Sequence, residues 1–157
     1  MKLWRIAAET RKYKATDLSG QGAAIHPGRW NDDGLRVVYS ALTISLAVLE
    51  TATHINDARL PLDRYLLEIE VPDDVWMLRE VLDVAELSPT WSAIPAGQAS
   101  VTAGSAWLAS RRSPILLVPS VVVPEERAAL INPLHPASAK ITARVVRAFE
   151  YDRLFRT

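Results

Sequence analysis

The sequence predicts one compact α/β (α+β) domain in which helices flank a central, bent sheet. Three observations carry this. Tyr65, Leu67, Ile69 and Val71 alternate with Arg64, Glu68 and Glu70, the period of a strand with one face buried. Residues 44–52 and 98–110 read at helical rather than strand period. Residues 115–118 and 121–123 are continuous apolar runs interrupted by Pro119-Ser120, as in a buried strand that bends. At 157 residues, with no internal repeat, low-complexity segment or linker, the whole chain 1–157 forms a single domain. A domain of that size buries roughly 68–70% of the surface of its unfolded chain.

Composition narrows the functional classes. Lys plus Arg and Asp plus Glu are 18 each, so no bulk charge favours nucleic acid or an anionic membrane. There is no cysteine, which removes disulfides, thiolate nucleophiles and cysteine-bound zinc together. Residues 1–12 lack the apolar core of a signal peptide, and residues 115–124 are too short and too proline-interrupted to span a bilayer. The expectation is a soluble, cytoplasmic protein.

Taken in order, residues 3–7 form a first strand carrying Arg5, read as a strand-edge charge. Residues 10–22 are polar and end in Ser19-Gly20-Gln21-Gly22, a turn too incomplete for a phosphate-binding fingerprint. Asp33-Gly34 then signals a hairpin. A two-residue loop would set Tyr39 against Gly28. A loop of Asp32, Asp33 and Gly34 would instead put Arg29 on one face with Val37 and Tyr39, and this second register is preferred. Thr43 or Ser45 caps the next helix, apolar nearly all round and therefore buried, with Glu50 inside the apolar run and His54 one turn beyond.

Residues 58–61 break the chain before the strand at 65–71. Residues 73–87 combine the apolar Val75-Trp76-Met77-Leu78 with a short helix near 83–87, and Pro89 and Pro95 bracket Trp91 in a loop. The helix at 98–110 has small residues that permit close packing, and Arg111-Arg112 suit its C-terminal dipole. Residues 130–136 are a proline-rich turn. Residues 141–149 form a last strand exposing Arg144 and Arg147, and Arg153 and Arg156 complete a weakly basic tail.

Several chemistries fall away. Ser120 lies in Val-Pro-Ser-Val-Val, without the glycines of a nucleophile elbow. His26, His54 and His135 have no metal-ligand spacing and read as structural hydrogen-bonding groups, so no metal site is expected. There is no P-loop, and the five tryptophans lack the basic interleaving of a single-strand binding track. Arg29, Tyr39 and Glu50 stand out. A carboxylate carried toward the interior needs partners. The three form either a structural network, with Arg29 pairing Glu50 under the Tyr39 hydroxyl, or a ligand site.

The strings Gly-Arg-Trp-Asn (28–31), Val-Val-Tyr-Ser-Ala (37–41) and Ser-Leu-Ala-Val-Leu-Glu (45–50) resemble the RES domain family. Val118-Pro119-Ser120, Leu130-Ile131-Asn132-Pro133 with His135-Pro136, and residues 149–154 extend the resemblance in order over nearly the whole chain. It implies an ADP-ribosyltransferase-like fold with a mostly antiparallel sheet, and a toxin of a bacterial toxin–antitoxin pair that consumes NAD+. Carried over by position, Arg29, Tyr39 and Glu50 match the family's catalytic set. Arg29 would grip the pyrophosphate, Tyr39 would stack on nicotinamide, and Glu50 would bind ribose and steady an oxocarbenium-like transition state. Ser120 would hold ligand through its hydroxyl. Asn132 would orient the site or form its turn, and Trp30 would pack or line the pocket. Ala128 stands where the family usually has Asn.

The preferred expectation is growth arrest by NAD+ degradation, with phosphate or water accepting the ADP-ribose and no resident cofactor. Transfer of ADP-ribose to a cytosolic protein is the enzymatic alternative, a non-catalytic ADP-ribose-binding or partner-binding module a second, and a nucleic-acid binder a weaker third. The resemblance also implies an Xre-like helix-turn-helix antitoxin that blocks the NAD+ site in an oligomeric complex. The Arg144, Arg147, Arg153 and Arg156 side is the candidate surface for it.

Overall fold

A computed structural model describes residues 1–55 and 61–155. The expected break at 58–60 and Arg156 lie outside these. Among the described residues, seven strands form one open sheet in the order β4-β5-β6-β2-β1-β3-β7. The strands are β1 (Lys2–Ala8), β2 (Val38–Ala41), β3 (Arg64–Glu70), β4 (Glu80–Val81), β5 (Ile115–Pro119), β6 (Arg127–Ile131) and β7 (Thr142–Phe149). Only the β4–β5 pair is parallel, so the expected α/β, mostly antiparallel architecture is what forms. The helices are α1 (Gln21–Ile25), α2 (Ile44–Ala52), α3 (Asp73–Trp76), α4 (Gln98–Ser110) and α5 (Asp152–Phe155).

Alternation along the strands splits the core between the two faces of the sheet. Leu3, Val38, Ile69 and Ile115 pack in one cluster, joined by Val75 of α3. Trp30, Trp91, Trp107, Leu116, Val118 and Leu130 pack in another, beneath α4. Ala41 of β2 meets Leu46 and Ala47 of α2, with Trp4 against them. That contact seats α2 on the sheet, and the Thr43 side chain caps it by accepting the Leu46 N–H at 3.1 Å.

The expected hairpin does not form. β2 lies inside the sheet, between β1 and β6, so both its edges are already paired and no edge is left for residues 26–32. Asp32–Leu35 is still a tight turn, closed by Leu35 N–H to Asp32 C=O at 3.2 Å, with Gly34 at φ 79°. The loop's polar groups go elsewhere: Gly34 N–H bonds Ala24 C=O of α1 at 2.9 Å, and the Asn31 amide takes several others. Gly20, at φ 70°, turns the chain into α1, so Gly22 is helical and not part of a loop.

Other differences follow from tertiary burial. β3 is covered on both faces rather than one, since Leu66 packs with Ile6 and Phe149, and Glu68 is buried between Lys2 (3.1 Å) and Arg144 (3.0 Å). α2 buries Leu46 and Ala47, but Ile44 and Leu49 are each 38% exposed, so this helix lies on the sheet surface and not within the core. β5 ends at Pro119 and residues 121–123 are not a strand. Residues 127–131, read partly as a turn, are the strand β6, because Leu130 and Ile131 cross the sheet opposite Tyr39 and Val38. The helix near 83–87 is a single 3-10 turn, Val84–Glu86. α4 has the expected bounds, and its Gly104 lies against the Trp30 backbone, where an added Cβ would sit 1.9 Å from the Trp30 carbonyl oxygen.

Candidate functional site

The site is assembled from four stretches that are separate in sequence. Glu50 follows Leu46 by one turn of α2, so it projects from the sheet-facing side and is half-buried. Ser120 sits just past the end of β5, where Pro119 closes the strand. Its hydroxyl donates to Glu50 Oε1 at 2.5 Å and accepts the backbone N–H groups of Val122 and Val123, both at 3.1 Å. The serine is therefore fully engaged within the protein, and its hydroxyl is spent on holding one carboxylate oxygen. Among the described residues Glu50 Oε2 makes no hydrogen bond.

Arg29 sits on the loop after α1, half-buried. Its Nη1 donates to the Trp91 and Ala93 carbonyls at 3.1 and 2.8 Å. Burial draws its pKa below the ordinary arginine value, opposed by the Glu50 carboxylate and then by Tyr39. The guanidinium thus feels Glu50 through space, yet the described residues contain no ion pair between them. The arrangement in which Arg29 pairs Glu50 under the Tyr39 hydroxyl is therefore not the one that forms, and Nε and Nη2 are donors without a partner among the described residues.

Tyr39, on β2, brings the hydroxyl end of its ring against Gly28, where a Cβ would come within 2.7 Å of its Cζ and Oη. Its hydroxyl accepts the Trp30 N–H at 3.0 Å and donates to Asn31 Oδ1 at 2.6 Å. Burial raises its pKa well above the usual tyrosine value, against the smaller opposing effects of the Trp30 N–H and Arg29. A phenol so held stays protonated, so it has a ring face rather than an acid to offer. Arg5, read as an edge charge, is half-buried instead and donates from Nη1 to the Tyr39 carbonyl at 3.3 Å. Its pKa is lowered by burial, with Asp17 opposing. Only the antiparallel β1–β2 pairing brings it there.

The remaining candidates make contacts within the protein. Trp30 is 4% exposed and stacks on Trp91, with ring centroids 6.2 Å apart. Asn132 is buried, donating to Leu108 C=O at 3.0 Å and accepting the Leu134 N–H at 3.1 Å, so its amide ties α4 to the turn after β6. His135 Nδ1 accepts the Ala137 N–H. Arg144 is bound to Glu68 and Arg147 lies over the Phe149 ring at 5.3 Å, yet both stay exposed, as does Arg153, so three of the cations of that expected surface face solvent within the described residues. A cavity of about 480 Å³ lies elsewhere, lined by Leu18, Arg36, Pro133 and His135 among others. Among the described residues no cluster of His, Asp and Glu could hold a metal, and no helix is long and apolar enough to cross a membrane.

A single α/β domain with a serine-held glutamate on a sheet-packed helix and an arginine loop tied to a strand tyrosine is the class this geometry defines. Residues 2–153 match the RES domain model. The chain is 53% identical over 149 residues to a Prs ADP-ribosylating toxin of Sphingobium sp. (strain YBL2), covering 95% of this chain and 92% of that protein. It is 39% identical over 135 residues to Toxin Res of Yersinia enterocolitica, covering 86% of each. It is also 35% identical to Toxin Res of Pseudomonas putida, over 99% of this chain and all of that one. The chain belongs to the RES domain family and groups with its toxins.

Proposed function

We propose that this chain cleaves the nicotinamide–ribose bond of NAD+. The observation that carries the reading is the Glu50 carboxylate, with one oxygen anchored by Ser120 and, among the described residues, no hydrogen bond to the other and no ion pair to the arginine whose field it feels. As the C–N bond breaks, positive charge develops on the ribose, and a fixed anion beside it lowers the barrier. Nicotinamide leaves with the bonding electrons as a neutral molecule, so no general acid is required. Arg29 binds the pyrophosphate through its free N–H groups and Tyr39 supplies an apolar face for the nicotinamide ring. NAD+ is consumed as substrate, and no resident cofactor or metal enters the scheme.

The acceptor separates two readings. Phosphate or water would make the chain an NAD+-degrading toxin. A protein acceptor is favoured by the 53% identical relative, which is named for ADP-ribosylating Prs, and Prs is accordingly the first protein acceptor to test. In either case the reaction acts on the NAD+ pool of the cytoplasm and calls for a neutralising antitoxin, for which an Xre-like helix-turn-helix protein covering the Glu50 side is the proposed partner.

The test is nicotinamide release from NAD+ by the purified chain, alone, with inorganic phosphate, and with Prs and labelled NAD+. Label on Prs supports transfer. Free or phosphorylated ADP-ribose identified by mass supports degradation. Glu50→Gln keeps the hydrogen bond from Ser120 while removing the charge, and is expected to fold normally with turnover down on the order of 10²-fold or more. Folded protein that releases no nicotinamide under any condition overturns the reading.

A further inference from the structure

We propose that Asn31 is the positioning residue of this site: its side-chain carbonyl takes both the Gly28 N–H and the Tyr39 hydroxyl, locking the arginine loop to the tyrosine ring. The inference rests on the reading of Arg29 and Tyr39 as substrate-binding groups.

Asn31 has no exposed surface, and every polar atom of its amide is used. Oδ1 accepts from Gly28 N–H at 2.9 Å and from the Tyr39 hydroxyl at 2.6 Å. Nδ2 donates to the carbonyls of Ala23, Asp32 and Leu35, at 2.9, 3.2 and 3.1 Å. The two ends of the amide therefore do different work. The nitrogen closes the loop from α1 to β2, whereas the oxygen reaches the residues on either side of the site. Tyr39 completes the circuit by accepting the Trp30 N–H. The backbone N–H groups before and after Arg29 are thus tied, through Asn31 and Tyr39 respectively, to one phenol. The arginine cannot swing independently of the ring, and the hydroxyl hydrogen must point at Asn31 because Trp30 fills the opposite side of the oxygen. Asparagine suits the position because it offers an acceptor and two donors in one plane. Losing it frees the ring and the guanidinium together, which weakens binding of the bound substrate and its transition state alike and so raises KM more than it lowers kcat.

The experiment compares three variants. Asn31→Ala deletes both ends. Asn31→Asp keeps an acceptor oxygen but loses the donors. Tyr39→Phe deletes the shared hydrogen bond from the other side. Asn31→Ala and Tyr39→Phe are each expected to raise the KM for NAD+ about three- to tenfold, the worth of one hydrogen bond, with kcat changed less. Their double variant is expected to be less impaired than the product of the two single effects, because both remove the Tyr39–Asn31 hydrogen bond. Asn31→Asp is expected to lower thermal stability yet keep KM near wild type. If either Asn31 variant fails to fold, the other with Tyr39→Phe carries the comparison.

A second readout is independent of turnover. In alkaline ultraviolet titration, the Tyr39 phenol, assigned by its loss in Tyr39→Phe, should ionise at lower pH in Asn31→Ala, because the acceptor that holds its proton is gone. Unchanged KM with only a lower melting temperature, additive effects in the double variant, or an unmoved tyrosine would overturn the proposal. A wild-type chain that releases no nicotinamide overturns the functional reading instead, and the titration then decides Asn31.

Discussion

The Ser120 hydroxyl reaches Glu50 at 2.5 Å across 70 positions of sequence, joining the end of a strand to the last turn of a helix. A hydrogen bond to a carboxylate is among the stronger single contacts a protein makes, about 1.5–3 kcal/mol. Ser120→Ala should therefore lower kcat for nicotinamide release by roughly 10- to 100-fold, because the carboxylate loses its fixed orientation. It should also cost some stability, since the Val122 and Val123 N–H groups lose their shared acceptor. Steady-state kinetics beside thermal unfolding separate the two effects, and an unchanged kcat would show that Glu50 needs no anchor.

Arg29 has a double task, and its substitutions should expose it. The Nη1 atom donates to the carbonyls of Trp91 and Ala93, while Nε and Nη2 have no partner among the described residues. Arg29→Lys retains charge but not the planar fork, so NAD+ affinity by calorimetry is expected to fall about tenfold or more while the fold persists. Arg29→Ala should lose affinity further and also loosen residues 91–93 in hydrogen exchange. Affinity equal to wild type in either folded variant would confine Arg29 to a structural role.

Gly104 sets how closely α4 approaches the loop that bears Arg29. A methyl group there would sit 1.9 Å from the Trp30 carbonyl oxygen, with the Trp30 Cβ at 2.9 Å, and backbone cannot yield as a side-chain tip can. Gly104→Ala, although it improves helix propensity, should destabilise the protein by about 1–3 kcal/mol in chemical denaturation. A neutral or stabilising result would mean that α4 can slide without cost.

Glu68 gives the sheet a dependence on acid. Its pKa is lowered chiefly by the hydrogen bond from Lys2, with Arg144 adding to this against the opposing cost of desolvation. A carboxylate depressed in the folded state contributes stability that is fully present above its unfolded pKa and is lost as pH falls through the folded value. Thermal stability should fall on acidification below the ordinary glutamate range, and Glu68→Gln should be less stable at neutral pH with a shallower acid limb. Parallel acid limbs for the two proteins would remove Glu68 from the account.

Much of the molecule was legible locally. Leu3 and Ile6 marked β1, the alternation at 65–71 marked β3, and α4 had its bounds in the run of small residues from Gln98 to Ser110. Thr43 was readable as a cap, since a threonine before an apolar helical run satisfies a free N–H. The RES resemblance singled out Arg29, Tyr39, Glu50 and Ser120 together. β6 was missed because a proline follows it closely and Ala128 and Ala129 have little strand propensity, yet burial between β5 and β2 imposes one.

What the sequence determined by itself was the inventory: one domain, the strand and helix periods, the turn at Gly34, and the residue types able to carry the chemistry. Tertiary structure decided how they are used. Pairing β2 on both edges ruled out a hairpin that the local turn signal favoured, and turned residues 26–35 into a loop held by the Asn31 amide. The same arrangement placed Ser120 on Glu50 and Arg5 on the Tyr39 carbonyl. Local propensities act over a few residues, whereas these contacts span 70 and 34 positions. They exist only once the whole sheet has closed its edges and brought the strands into register.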